Sequence, residues 1–479
     1  MSTYRPLCYA VVSSALACGG GLFAAPQAAM PKLPDYSMTP RSEVPDKYKF
    51  NLASLFPTRD AWRAEFEALK ADSAKLDTAA DGWTSSAAKM ADTLDLIHAI
   101  EERAYRLYAY AMLSYDMEMS DAEATRMRGE IQTFVTDFGT KCAFTAPGIL
   151  ALGDDKVMAF LSAEPRLAPY RFLLETTLRK RAHTLSEAEE SVIAQLSLGA
   201  DTPVKVANLL SDVDMPPPVV KLTDGSEVTL NESGFLKHRI SPVAEDRRIV
   251  AEAYWTNIRK YENTFAALLD GELRKRLALA KVYQFPSTLE AALFPDDIDP
   301  AIYRNLIATV RANTAPLHRY LRLKQRMLGL DELHYYDTSV PAAPVTRRTY
   351  PFEQARDLVV ACTAPLGPEY GKRLRRAFDE RWVDVYPNKG KQGGAYSLGV
   401  YGAHPFVKMN YDGRFDEVST LAHELGHSLH SVFANETQPY PTAQYTIFIA
   451  EIAATFNEIL LVKQALKDTT DPAEKLAIL

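Results

Sequence analysis

Residues 417–433 read E-V-S-T-L-A-H-E-L-G-H-S-L-H-S-V-F, and the fold is decided there. Val418, Leu421, Ala422, Leu425 and Leu429 recur at three- and four-residue intervals, which predicts a helix with one apolar face. Glu417 suits the positive amino-terminal end of such a helix. His423 and His427 then lie one turn apart on a common face, within reach of a single Zn²⁺. Glu424 points about 100° away around the axis, so its carboxylate can reach a water beside the metal without occupying a coordination position. Two imidazoles and a carboxylate on an apolar helix are costly without a partner. A metal supplies that partner.

A catalytic zinc site takes three protein ligands and leaves one position open. Candidates downstream for the third ligand are His430, Glu436, Glu451 and Glu458. His430 follows His427 by three residues, and a third ligand from the same short helix rarely closes the tetrahedron. Glu451 lies in an otherwise apolar run with Ile447, Phe448, Ile449, Ala450, Ile452, Ala453, Ala454 and Phe456, where a lone acid needs a strong partner. Glu458 returns to nearly the same helical face, with Thr455 between. Both suit a supporting role, hydrogen-bonding the imidazoles and fixing their tautomer.

Upstream lies the Gly-rich, β-prone stretch of residues 390–411. Gly394, Ala395 and Tyr396 fit an edge strand that pairs with a peptide backbone, small residues permitting close approach. A plain structural hairpin fits the same residues. His404, followed by Pro405, reads as structural, because nothing ties it to the metal. Elsewhere helical periodicity dominates: residues 94–107, 122–144, 170–181, 185–198, 244–283, 300–328, 351–382 and 444–467, with Ser186 as a cap for the 185–198 helix. The pattern breaks at Pro216, Pro217 and Pro218, and residues 219–230 alternate around Asp224-Gly225 as a hairpin. The expected architecture is mostly α with a small sheet beside the late helices. The divisions are a signal peptide at 1–29, a helical domain at 30–205 and a catalytic domain at 206–479.

The 479 residues carry 54 Lys+Arg against 61 Asp+Glu, net −7. No long basic stretch compensates, so nucleic acid is not an expected partner. Residues 1–29 combine Arg5, a short apolar core and an Ala-rich exit, the pattern of a signal peptide, which predicts an exported, periplasmic or secreted protein. That core is too short and interrupted to span a membrane, and no other span is expected. Beyond that segment only Cys142 and Cys362 remain. They are too few and too far apart for a disulfide framework and read as free thiols.

H-E-L-G-H-S-L-H (423–430) followed by F-I-A-E-I-A-A-T-F-N-E (448–458) resembles the oligoendopeptidase F family of thimet-oligopeptidase-like zinc peptidases. The likeness extends through W-V-D-V-Y-P-N-K-G-K-Q-G-G-A-Y-S (382–397) and H-P-F-V-K-M-N-Y (404–411). The resemblance implies one Zn²⁺ per chain held by His423, His427 and Glu451, with Glu424 catalytic. It also implies a two-lobed, zincin-type helical body whose deep channel admits oligopeptides and excludes folded proteins. Family members carry an I-P-H-F-Y-type segment beyond the second zinc-site helix, and this sequence ends at Leu479 without one. The expectation is therefore a zinc metalloendopeptidase lacking its C-terminal part. The alternative is a peptide-binding zinc protein of the same fold with weak or no activity.

Overall fold

In the computed structural model, residues 33–197, 199–341 and 348–479 are described; the signal-like residues 1–29 lie outside them. Helix α1 (Arg59–Ser73) begins where the Thr58 hydroxyl accepts the Ala61 N–H at 3.1 Å, and it buries Trp62, Phe66 and Leu69. The 31-residue α2 (Ala87–Met117) is capped by Ser86, and α3 (Ala122–Lys141) by Asp121. Their apolar faces enclose Leu107, Leu113, Ile131 and Phe138, and Val400 and Phe406 from late in the chain join the same core. The N-terminal helices are thus fastened to the sheet region by a shared core.

Ser186 caps its helix reciprocally: its N–H donates to Glu189 Oε2 at 2.8 Å, and the Glu189 N–H returns to the Ser186 hydroxyl at 3.4 Å. The hairpin forms as expected, β1 (Val219–Lys221) pairing antiparallel with β2 (Glu227–Thr229). Gly225 supplies the positive φ of +89° that its turn requires.

Three long helices expected from periodicity are each divided. Residues 244–283 form α4 (Ala244–Arg259) and α5 (Glu262–Val282), turning at Lys260 and Tyr261 with no local breaker to announce it. The 300–328 stretch divides into Pro300–Ala312 and Ala315–Met327, where Pro316 suits a first helical turn but not a helix interior. Residues 351–382 form α6 (Phe352–Cys362) and α7 (Pro368–Asp379), parted by Pro365 and by Gly367 at φ +90°. Leu269, Leu273 and Leu277 on α5 and Ile302, Leu306 and Val310 on the Pro300–Ala312 helix form apolar stripes facing solvent.

The site is positioned by β3 (Val383–Asp384), β4 (Tyr396–Leu398) and β5 (Phe406–Lys408), in the order β3-β5-β4. β3 runs parallel to β5 and β4 antiparallel, with Ser397 opposite Val407. The N–H groups of Val407 and Met409 donate to the carbonyls of Trp382 and Asp384, both at 2.8 Å. Alternate residues of β5 therefore bond to opposite neighbours, and the backbone of Ser397 is turned toward the open edge. Beneath the sheet pack α8 (Phe415–Thr437) and α9 (Ile447–Asp468), around Trp382, Met409, Leu421, Leu425, Leu429 and Leu461. Cys362 is buried and Cys142 half-buried, in different cores, and both are free. Among the described residues no helix is long and apolar enough to cross a membrane.

Candidate metal centre

Helix α8 turns Val418, Leu421, Ala422, Leu425 and Leu429 into the core and leaves His423 and His427 on the opposite side, only partly exposed. Asp416 and Glu417 occupy its first turn, as its dipole favours. Opposite, α9 approaches very closely. A Cβ placed on Gly426 would stand 2.7 Å from Ala454 Cα and 2.8 Å from the Ala453 carbonyl oxygen. Glycine at 426 and alanine at 453 and 454 therefore set the helix separation. The Asn457 side chain bridges the helices by donating to the Ala422 carbonyl at 3.1 Å.

That separation brings Glu451 to the histidines. His423 Nε2 lies 3.1 Å from His427 Nε2, and Glu451 Oε2 lies 3.4 Å and 3.6 Å from the two nitrogens. Ligands about 2.0–2.1 Å from a tetrahedral zinc stand about 3.3–3.4 Å apart. The three donors fit such an ion, and these are the His, His and carboxylate types that Zn²⁺ favours. The orientation fits as well. His423 Nδ1 lies 2.7 Å from Glu458 Oε1, so an N–H donated there leaves the Nε2 lone pair facing the shared centre. The Ser419 hydroxyl donates to the other Glu458 oxygen at 3.3 Å.

The remaining candidates fall elsewhere. His430 stacks on Tyr445, ring centroids 3.6 Å apart, and Glu436 pairs with Arg373 at 2.7 Å. Thr455 departs from its expected supporting role: its hydroxyl donates to the Glu451 carbonyl at 2.6 Å, one helical turn back, and touches neither imidazole. Glu451 itself is 57% exposed, and Ile449, Ile452 and Phe456 around it face solvent. Burial in an apolar helix, the reason for selecting it from sequence, does not hold; the donor spacing does.

Glu424 is buried beside the metal group, and burial pushes its carboxyl pKa up to about 7. His423 and the Ser397 N–H oppose that rise, while Glu451 adds to it. Burial also holds the His427 imidazole below its ordinary range, favouring the neutral form that binds metals. Two cavities flank the group. One of about 470 Å³ is lined by Ala395, Asp416, Ser419, His423, Glu424 and Glu458. The other, about 290 Å³, is lined on its far side by Tyr105, Ser431, Asn435 and Tyr445.

Of the three expected edge-strand residues, Ala395 lines the larger cavity and Gly394 is exposed beside it at φ +74°. Tyr396 differs: its hydroxyl donates to Asp116 Oδ2 of α2 at 2.8 Å, so its side chain belongs to the scaffold, and only its backbone belongs to the strand. Ser397 was not singled out from sequence. Its hydroxyl lies 2.8 Å from that of Ser428 on α8, tying the edge strand to the histidine helix. His404 stacks on Trp382 at 5.5 Å, remote from the metal group.

Comparison with known proteins adds to this geometry. Residues 238–479 match the profile of "Peptidase family M3", and residues 149–216 that of "Oligopeptidase F". Oligopeptidase PepF of Bacillus subtilis is 34% identical over 94% of this chain, which spans 66% of that protein's length. Group B oligopeptidase PepB of Streptococcus agalactiae is 31% identical, with 92% of this chain and 73% of the relative covered. A crystal structure from Chlamydophila abortus superposes with a TM-score of 0.82 at 33% identity, covering 92% of this chain and 74% of its own. Oligoendopeptidase-F of Enterococcus faecium, 22% identical with a TM-score of 0.60 over 87% of this chain and 69% of its own, shares the fold.

Proposed function

Because the chain belongs to peptidase family M3, we propose that it is a zinc-dependent metalloendopeptidase that hydrolyses peptide bonds within oligopeptides. The observation that carries this reading is the convergence of His423 Nε2, His427 Nε2 and Glu451 Oε2 at 3.1–3.6 Å beside the buried carboxyl of Glu424. These three donors would hold the ion. Zinc, when bound, polarises a carbonyl as a Lewis acid and acidifies water toward a pKa of about 7.

The rest is the work of this chain's own residues. Glu424 accepts a proton from the attacking water and delivers it to the departing amine. Glu458 keeps the His423 proton on Nδ1. The open edge of β4 offers the Ser397 carbonyl to an extended peptide, its N–H being turned to Glu424, which supports main-chain recognition with little demand on side chains. The signal-like residues 1–29 support action outside the cytoplasm.

The test is Glu424→Gln. That variant retains zinc at the wild-type stoichiometry and loses oligopeptide turnover by about 10²–10⁴-fold. Near-normal turnover removes Glu424 from the mechanism.

A further inference from the structure

Lys408 occupies the last position of β5, only 1% exposed, where the neighbouring Phe406, Val407 and Met409 are all buried and apolar. No carboxylate of the described residues pairs with it. Its ammonium instead donates to the Gly393 carbonyl at 2.7 Å, to Gln392 Oε1 at 3.0 Å and to the Gln392 carbonyl at 3.3 Å. It also lies 4.8 Å from the centre of the Tyr396 ring. Its direct acceptors are all neutral, which leaves the buried charge costly. Burial holds this ammonium below its ordinary pKa range, with the more distant Asp116 and Glu424 opposing that fall.

Asn410, two residues on, completes the pattern. Its side-chain amide donates to the carbonyls of Gln392 and Gly394, both at 2.9 Å. Three successive carbonyls, those of residues 392, 393 and 394, are therefore held by the side chains of Lys408 and Asn410. The loop is fixed at its start as well, where the Gln392 N–H donates to the Asp116 carbonyl at 2.8 Å. The N–H groups of Gly393, Gly394 and Ala395 meet no acceptor among the described residues. Where a Cβ would stand on Gly393 or Gly394, nothing lies within 4 Å. Ala395 lines the cavity that His423 and Glu424 share.

Resting on the peptidase reading above, we propose that Lys408 is a positioning residue for the substrate. By holding the 392 and 393 carbonyls, it leaves the 393–395 amides free to receive the carbonyls of a bound peptide, next to the Ser397 N–H that faces Glu424. An apolar residue at 408 would suit the strand's surroundings but would release those carbonyls. The lysine is there for the loop.

The experiment compares the zinc-loaded full chain with Lys408→Met, Lys408→Arg and Asn410→Ala. It reads kcat and KM on a fluorogenic oligopeptide, zinc content, and amide hydrogen exchange of residues 393–396. Lys408→Met raises KM about tenfold, the size of one lost backbone hydrogen bond. Its zinc stoichiometry stays near wild type, any change in kcat is smaller than the change in KM because Lys408 also acts on the Glu424 charge, and the 393–395 amides exchange faster. Lys408→Arg, which keeps the donors, recovers most of the KM. An unchanged KM, a loss confined to kcat, or unchanged exchange overturns the proposal. If Lys408→Met fails to fold, the partly exposed Asn410→Ala decides by the same criteria. If the wild-type chain cleaves no peptide, the peptidase reading falls on that result alone. Exchange and equilibrium binding of the uncleaved peptide then decide the role of Lys408.

Discussion

Replacing Glu458 by alanine removes the carboxylate oxygen 2.7 Å from His423 Nδ1, a residue that never touches the metal. The imidazole then loses what fixes its tautomer, and its proton can shift to Nε2, the nitrogen 3.1 Å from its counterpart on His427. Loss of such outer support typically weakens metal binding 10–100-fold, about 1.4–2.7 kcal/mol. The Glu458 side chain is 37% exposed, so solvent screens the coulombic part and the hydrogen bond carries most of the effect. Glu458→Gln, which keeps an acceptor but not the charge, should therefore weaken zinc by only about 3–10-fold, against about 10–100-fold for Glu458→Ala. Ser419→Ala, which removes one 3.3 Å contact to the other carboxylate oxygen, should change it least. Competition between metal-free protein and a chromophoric zinc chelator measures all three. Wild-type zinc affinity in Glu458→Ala refutes the reasoning.

Gly426→Ala places a Cβ 2.7 Å from Ala454 Cα. The helices must part, at a cost of about 1–3 kcal/mol, and Glu451 moves with α9. Calorimetry should show a lower unfolding midpoint together with weaker zinc binding, and an unchanged midpoint contradicts the close crossing. Asp384 tests the other side of the sheet. Burial opposes its ionisation, but Lys391 at 2.7 Å and Arg41 at 2.6 Å outweigh that and hold its carboxyl below the ordinary 3.8. A carboxyl depressed in this way stabilises the fold above pH 3.8, and that stability is lost as pH falls through the lower folded value. The difference in thermal midpoint between wild type and Asp384→Asn should therefore be full at neutral pH and narrow below pH 3.8. A gap that stays constant into stronger acid contradicts the assignment.

The histidine helix is legible because its apolar residues repeat every three or four positions from Val418 to Leu429, about three turns, so register and facing follow from the pattern. Glu451 is a weaker case. It stood out as an acid among apolar residues, yet Ile449, Ile452 and Phe456 are solvent-facing, and the Gly426–Ala454 approach is what delivers it. Thr455 shared a helical face with the metal group, but a hydroxyl can satisfy itself on the carbonyl one turn back, which periodicity does not reveal. Lys408 escaped notice because β5 is three residues long and buried on both faces, so no alternation marks its sides. Tyr396 groups with the substrate-pairing edge strand on sequence because the partner of its hydroxyl, Asp116, is 280 residues away in the chain. The divided helix at 260–261 shows the same limit, since periodicity continues across a turn that no local breaker announces.

The central claim is that peptide cleavage depends on one ion held by His423, His427 and Glu451. Zinc titrated into metal-free protein, with cleavage of a fluorogenic oligopeptide followed at each addition, tests it most directly. Cleavage should be absent at the start, rise linearly and level off at one equivalent per chain. Full-rate cleavage by the metal-free protein, or none after zinc is restored, contradicts it.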